Sequence, residues 1–230
     1  MTTALVETLN LGVMFGLRPV LTEVHFKLER GHAAVISGPN GAGKSTLVHA
    51  LCGLVAPTTG QVRMFGQDLR RLRAEDRRRV GVMLHRSMLY RNLTARENLE
   101  FYAKLNGWRE PAERAAHWLK RVGLDTVADR RARDLSRGME QRLALARAMV
   151  GEPELILFDE PFAALDRQGA AVVDGLVEEL LARGGAVLLT SHEPLTVKSA
   201  EVENYQLVCG RLIPAAAQPS RRTAWRWMLT

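Results

Sequence analysis

Cysteine is nearly absent. Cys52 and Cys209 are the two cysteines in 230 residues, too few and too far apart for a disulfide framework or a metal-binding spacing. Cys52 falls in an apolar helical stretch and reads as a small buried residue. Long apolar runs are missing too: no segment approaches the roughly 18 apolar residues that a membrane-crossing helix needs. The opening MTTALVETLN lacks a basic stretch followed by an apolar one, which argues against a secretory signal and for a cytoplasmic protein. Lysine is scarce as well. Lys27, Lys44, Lys104, Lys120 and Lys198 are the five lysines among 32 basic residues, and the rest are arginines. Neither an internal repeat nor a low-complexity tract is present.

What is there suits one domain with a subdomain inserted. A hydrophobic fraction of 47% supports a core, and the net charge is +7. A basic surface fits nucleic acid, anionic lipid or an acidic partner, and charge alone does not choose among them. The segment Leu69-Arg70-Arg71-Leu72-Arg73 with Arg77-Arg78-Arg79 invites a nucleic-acid reading; the alternative is a solvated helix face.

Residues 4–9 and 24–28 alternate as strands do, and Ala33–Ser37 is a short apolar run typical of a strand buried on both faces. A helix is expected from about Lys44 to Leu54, and a turn at Pro57-Thr58-Thr59-Gly60. From about 86 to 149 strand signals vanish and helical periodicity takes over. Thr94 with Glu97 forms a capping-box pattern that starts a helix through about Leu105. Pro111 suits the first turn of another, to about Val122. Leu155–Phe158 and Ala186–Thr190 are further buried strands with a helix over 169–183 between them, which implies a parallel sheet. The expected organisation is one domain over 1–213 with an inserted helical subdomain, then a tail over 214–230. In that tail Trp225 and Trp227 flank Arg226, which suits a partner or membrane-interface surface, or a frayed end.

Gly38-Pro39-Asn40-Gly41-Ala42-Gly43-Lys44-Ser45 matches the full phosphate-loop pattern, between a buried strand and a helix. Glycines let backbone N–H groups curl around a phosphate, and the following helix adds the positive end of its dipole. Lys44 reaches the β- and γ-phosphates, and Ser45 offers a hydroxyl to Mg2+; Thr46 completes the nucleotide-binding run. Asp159 and Glu160 follow the apolar run Leu155–Phe158, at the strand end that faces the ligand crevice of a parallel sheet. Asp159 is expected to hold Mg2+, directly or through water, and Glu160 to polarise the attacking water. His192, just after Thr190, is placed to contact the γ-phosphate and hold that water in line.

Leu135-Ser136-Arg137-Gly138-Met139-Glu140-Gln141-Arg142 lies before a helix and upstream of Asp159. With the phosphate loop, it resembles the signature of the ABC-transporter ATPase family, whose form is Leu-Ser-Gly-Gly-Gln. Here the first glycine is Arg137 and the glutamine is Met139. The likeness covers roughly residues 4–213. It implies an α/β fold: a P-loop NTPase core with a mostly parallel sheet, an N-terminal antiparallel β subdomain and the inserted helical subdomain. It implies that Ser136, Arg137, Gly138 and Met139 act in trans on the γ-phosphate held by a second copy, in a homodimer that sandwiches two ATP. Asp166 of Ala164-Leu165-Asp166 would lie in the loop crossing the dimer interface. Phe15 would stack on adenine, or be a core phenylalanine. His85 stands where the family has a glutamine that touches Mg2+ and senses the membrane partner; its nitrogen is a poorer Mg2+ ligand than an amide oxygen.

His85, the segment Leu93–Tyr102 and Ser191-His192-Glu193-Pro194-Leu195 together resemble the ATP-binding subunit of the haem exporter of cytochrome c maturation. That implies a transmembrane permease subunit and haem-handling membrane proteins as partners, a peripheral position on the cytoplasmic side of the membrane, and no nucleic acid. No haem site is legible in the chain itself. Three alternatives stay open: an ABC exporter ATPase with another cargo, a soluble ABC ATPase acting on nucleic acid or in metal-cluster assembly, and a regulatory module that holds ATP with little turnover.

Overall fold

The computed structural model describes residues 4–162, 165–191, 195, 197 and 201–215. The chain opens with two long strands, β1 (Val6–Phe15) and β2 (Arg18–Leu28). Next come β3 (Ala33–Ser37), α1 (Lys44–Leu51), β4 (Thr59–Met64) and β5 (Gln67–Asp68). A short helix α2 (Ala74–Arg77) leads into β6 (Val80–Met83). Three helices follow, α3 (Ala95–Leu105), α4 (Pro111–Arg121) and α5 (Arg137–Met149). The chain then alternates β7 (Leu155–Asp159), α6 (Arg167–Ala182) and β8 (Ala186–Thr190), and ends its described part with β9 (Val202–Val208) and β10 (Arg211–Pro214).

Two sheets result. One is antiparallel, in the order β2-β1-β4-β5, and the other has the order β10-β9-β3-β8-β7-β6. In the second, β9, β3, β8, β7 and β6 run parallel, and β10 is antiparallel to β9. Every residue of β7 and β8 is buried, which is why both read as unbroken apolar runs. The two sheets enclose one apolar cluster with α1, built on Leu11, Leu28, Ile36, Leu47 and Leu157. A second cluster joins the other face of the parallel sheet to α3, α4, α5 and α6 through Leu99, Trp118, Leu143, Phe158 and Val177. The fold is α/β with an antiparallel β unit and a helical region between β6 and β7, as expected.

Local chemistry sets the boundaries. The capping box forms: Glu97 N–H donates to Thr94 Oγ1 at 3.1 Å, and Thr94 N–H to Glu97 Oε2 at 2.8 Å. Pro111 opens α4. Helix α1 ends three residues short of the expected Leu54. Gly53, at φ 75°, donates to Ala50 O at 3.1 Å while Leu54 N–H bonds His49 O at 2.9 Å, a Schellman stop. The turn expected at 57–60 is also corrected, because Thr59 and Gly60 already belong to β4. Gly60 sits at φ 71°, where any Cβ would collide with the Asn10 carbonyl, so the glycine serves a close strand approach beside a bulge.

Candidate active site

The phosphate loop lies between the end of β3 and the start of α1. Gly38, at φ 150°, passes so close to the Leu207 carbonyl that a Cβ would clash, and Gly43, at φ 105°, has Val20 O 3.0 Å and Leu21 Cδ2 3.1 Å from where a Cβ would stand. Those approaches and dihedrals explain both glycines. Gly43 caps α1 with no side-chain hydrogen bond, and the first turn carries no acid, which leaves that terminus suited to an anion. Lys44, 8% exposed, curls back over the loop. Its Nζ donates to Gly38 O at 2.7 Å and Pro39 O at 3.4 Å and lies 3.8 Å from Glu160 Oε1.

Parallel pairing brings the acidic pair to the same place. Asp159 stands opposite Thr190 in the β7–β8 register. Thr190 Oγ1 donates to Asp159 Oδ1 at 2.7 Å, while the buried Oδ2 has no hydrogen-bond partner. Glu160 has φ 55°, a left-handed conformation that costs a non-glycine residue about 1–2 kcal/mol. Its N–H is fixed there by Thr190 O and Thr190 Oγ1, each at 3.1 Å. The sharp turn lifts its side chain out of the sheet end toward Lys44. Burial and the nearby Asp159 carboxylate push the Cys52 thiol up to about 12, which keeps it in the thiol form near neutral pH.

A cleft of about 510 Å³ is lined by Val20, Pro39, Asn40, Gly41, Gly43, Lys44, Ser45, Thr46, His85 and Glu160. His85 arrives two residues past Met83, which pairs with Phe158, and its exposed side chain also lines a smaller cavity with Ser87, Arg137, Glu140, Gln141 and Glu160.

The sequence-predicted residues therefore fall into two groups. Pro39, Asn40, Gly41, Gly43, Lys44, Ser45, Thr46, His85 and Glu160 share the cleft, with Gly38 and Ala42 in the same loop and Asp159 buried beneath it. Ser136, Gly138 and Met139 are not on its walls, and Arg137 reaches only the smaller cavity. Ser136 caps α5, accepting from Met139 N–H at 3.3 Å. Asp166 caps α6, accepting from Gly169 N–H at 2.7 Å. Phe15, 54% exposed, pairs with Arg18 at the hairpin tip and is absent from the cleft wall, where Val20 stands instead. His192, Ala164 and the tail beyond Ala215 lie outside the described residues. Sequence reasoning assigned no role to Thr190, which enters the site through the pairing of β7 with β8. The arginine cluster is partly consumed within the fold: Arg70 pairs with Asp68, Arg79 with Asp76 and Glu154, and Arg77 donates to the Leu69 and Leu72 carbonyls.

A parallel sheet with a phosphate loop at one strand end, acids at the next and an antiparallel flank defines a P-loop NTPase of the ATP-binding-cassette kind. The family profile described as ABC transporter matches residues 21–163. The chain belongs to that family and is an ATP-binding, ATP-hydrolysing subunit. The cytochrome c biogenesis ATP-binding export protein CcmA of Pseudomonas fluorescens (strain Pf0-1) is 38% identical over 198 residues, 85% of this chain and 92% of that protein. The molybdenum import ATP-binding protein ModC of Mycobacterium tuberculosis (strain H37Rv) is 36% identical over 187 residues, 76% of this chain but 51% of its own length. Among solved structures, the dimeric post-hydrolysis state of the ATP-binding cassette MJ0796 bound to ADP and Pi superposes with a TM-score of 0.82 at 27% identity, covering 93% of this chain and 100% of that one. Among the described residues, no helix is long and apolar enough to cross a membrane.

Proposed function

We propose that this chain powers a membrane-embedded partner from the cytoplasmic face of the membrane, in haem export or haem-chaperone release for cytochrome c biogenesis. The observation that carries the ATPase half is the approach of Lys44 to Glu160 on the cleft wall, next in sequence to Asp159 with its buried, unpartnered Oδ2. A buried carboxylate oxygen with no donor fits a hard divalent cation, as does the Ser45 hydroxyl on the cleft wall. Asp159 and Ser45 would hold Mg2+, which when bound supplies charge neutralisation on the phosphates.

The phosphates lie against the uncapped start of α1, with Lys44 neutralising charge on the transferred phosphoryl group. Glu160 orients a water for in-line attack on the γ-phosphorus; the water oxygen bonds phosphorus as the β–γ bridge breaks, and its proton passes to the carboxylate. His192 completes the alignment in this reading. Ser136, Arg137, Gly138 and Met139 do not reach the cleft of their own chain, which supports their acting on a second copy in an ATP-sandwiched homodimer. Asp166 lies at that interface and His85 follows the state of the membrane partner. Phe15 would meet the adenine from the exposed tip of β1. The whole of 1–213 works as one cassette.

Similarity to the CcmA proteins over most of both chains supports the haem assignment. The match to a molybdenum import protein favours a second reading, the same ATPase with another cargo. The deciding experiment is an affinity pull-down of the Glu160→Gln variant from gently solubilised membranes of the native host with ATP present. A multi-span partner with haem-handling proteins and haem absorbance is expected. A different multi-span partner without haem would remove the cargo assignment, and recovery of nucleic acid or soluble proteins alone would remove the membrane role.

A further inference from the structure

Helix α5 carries Ser136 at its N-cap. One turn further on, it grips both loops that bring side chains to the phosphate end of the cleft. Ser87 Oγ, two residues past His85, donates to Glu140 Oε1 at 2.6 Å. Gln141 Nε2 donates to the carbonyl of Pro161, next to Glu160, at 3.4 Å. These residues surround the cavity of about 80 Å³ that His85, Arg137 and Glu160 also line. Near its other end, α5 reaches the same region again. The buried Arg147 donates to Val82 O at 2.5 Å and lies over the Tyr102 ring at 5.2 Å, while the Tyr102 hydroxyl donates to Met88 O at 2.8 Å. The segment from Val82 to Met88, which bears His85, is thus held at three points, two of them from α5.

We propose that Glu140 is a positioning residue, which through Ser87 makes the His85 loop move as one body with α5, with Gln141 doing the same for the Glu160 turn. The inference rests on the reading above in which α5 presents Ser136 to a second nucleotide. Helix α5 is one continuous helix of 13 residues whose last seven are buried, so Ser136 and Glu140 are rigidly related to each other. A hydroxyl donating to a carboxylate is a charge-assisted bond, stronger than a neutral one. A loop tied this way follows the helix, and closure at Ser136 then resets the reacting geometry of the chain's own cleft. Displacing a reacting group by about 1 Å costs up to roughly a hundredfold in rate.

The test is steady-state ATP hydrolysis by the full-length chain carrying Ser87→Ala, Glu140→Ala, both together, or Glu140→Gln, with thermal melting of each variant. Each single alanine should lower kcat by roughly tenfold with KM for ATP within about twofold. The double variant should be no slower than either single, since both remove one bond. Glu140→Gln, which keeps an acceptor oxygen, should recover most of the rate. Unchanged kcat, multiplying effects, a loss confined to KM, or no recovery by glutamine would each overturn the tether. ATP-driven dimerisation of Glu160→Gln, measured separately by light scattering, tests the sandwich reading. If that dimer does not form while Ser87 and Glu140 still couple, the sandwich fails and the tether stands.

Discussion

Helices α1 and α5 both begin at residues expected to meet phosphate, yet their first turns are built differently. Gly43 gives α1 no side-chain cap, so the N–H groups there keep their hydrogen-bonding capacity for a ligand. Ser136 gives α5 an internal one, with its hydroxyl already accepting from Met139 N–H. The first is a finished receptor in a single chain. The second is a self-satisfied terminus, whose serine would have to exchange that internal bond for an external one to meet a phosphate. The cleft is lined by the phosphate loop at the start of α1, and Ser136, Gly138 and Met139 at the start of α5 are not on its walls. Helix α3 marks the far end of the series: Thr94 and Glu97 satisfy each other reciprocally, leaving nothing to offer a ligand.

Breaking the α1 side should have the largest effect. Lys44→Ala removes the cation that bridges the loop carbonyls and Glu160. Hydrolysis measured by phosphate release should fall at least about a hundredfold, the scale for losing one pre-organised electrostatic stabiliser. ATP affinity by titration calorimetry should fall with it. If affinity and rate survive, the cleft is not the nucleotide site and the contrast between the helix starts collapses.

An intermediate effect sharpens the α5 side. Ser136→Ala loses the cap, about 1 kcal/mol of stability, whereas Ser136→Gly costs only about a few tenths, because glycine is tolerated at that position. The two substitutions therefore separate a structural hydroxyl from a ligand-facing one. If Ser136 meets a phosphate in trans, both variants should lose roughly tenfold in kcat, although glycine restores the melting temperature. Recovery of activity by glycine would reduce Ser136 to an ordinary cap.

What the sequence disclosed follows the range of the interaction. The phosphate loop was legible because strand, glycine turn and lysine act within a dozen residues. Asp159 and Glu160 were legible because an apolar run ending in two acids exposes its own strand end. Thr190 carried no assignment, since its bond to Asp159 spans 31 residues and depends on the register of β7 with β8. Ser87 and Glu140, 53 residues apart, gave no local signal at all. Phe15 was placed by its likeness to the family's adenine-stacking aromatic; the β1–β2 register sets it at an exposed hairpin tip, while Val20 stands on the cleft wall. The overrun of α1 came from reading apolar residues through Gly53, whose positive φ ends the helix.

The smallest effect is expected where the helix start is closed. Thr94→Ala breaks both halves of the capping box, because the Glu97 N–H loses its acceptor and the Glu97 carboxylate loses its orientation toward Thr94 N–H. The cost should be about 1 kcal/mol, a fall of roughly 2–4 °C in melting temperature for a chain of this size. Neither kcat nor KM for ATP should move, since no group at this terminus faces the cleft. Scanning calorimetry beside the hydrolysis assay checks both halves. A rate loss here equal to that of Ser136→Ala would mean that general loosening of the helical region, rather than the state of each helix start, controls hydrolysis. The graded series from α1 through α5 to α3 would then describe stability alone.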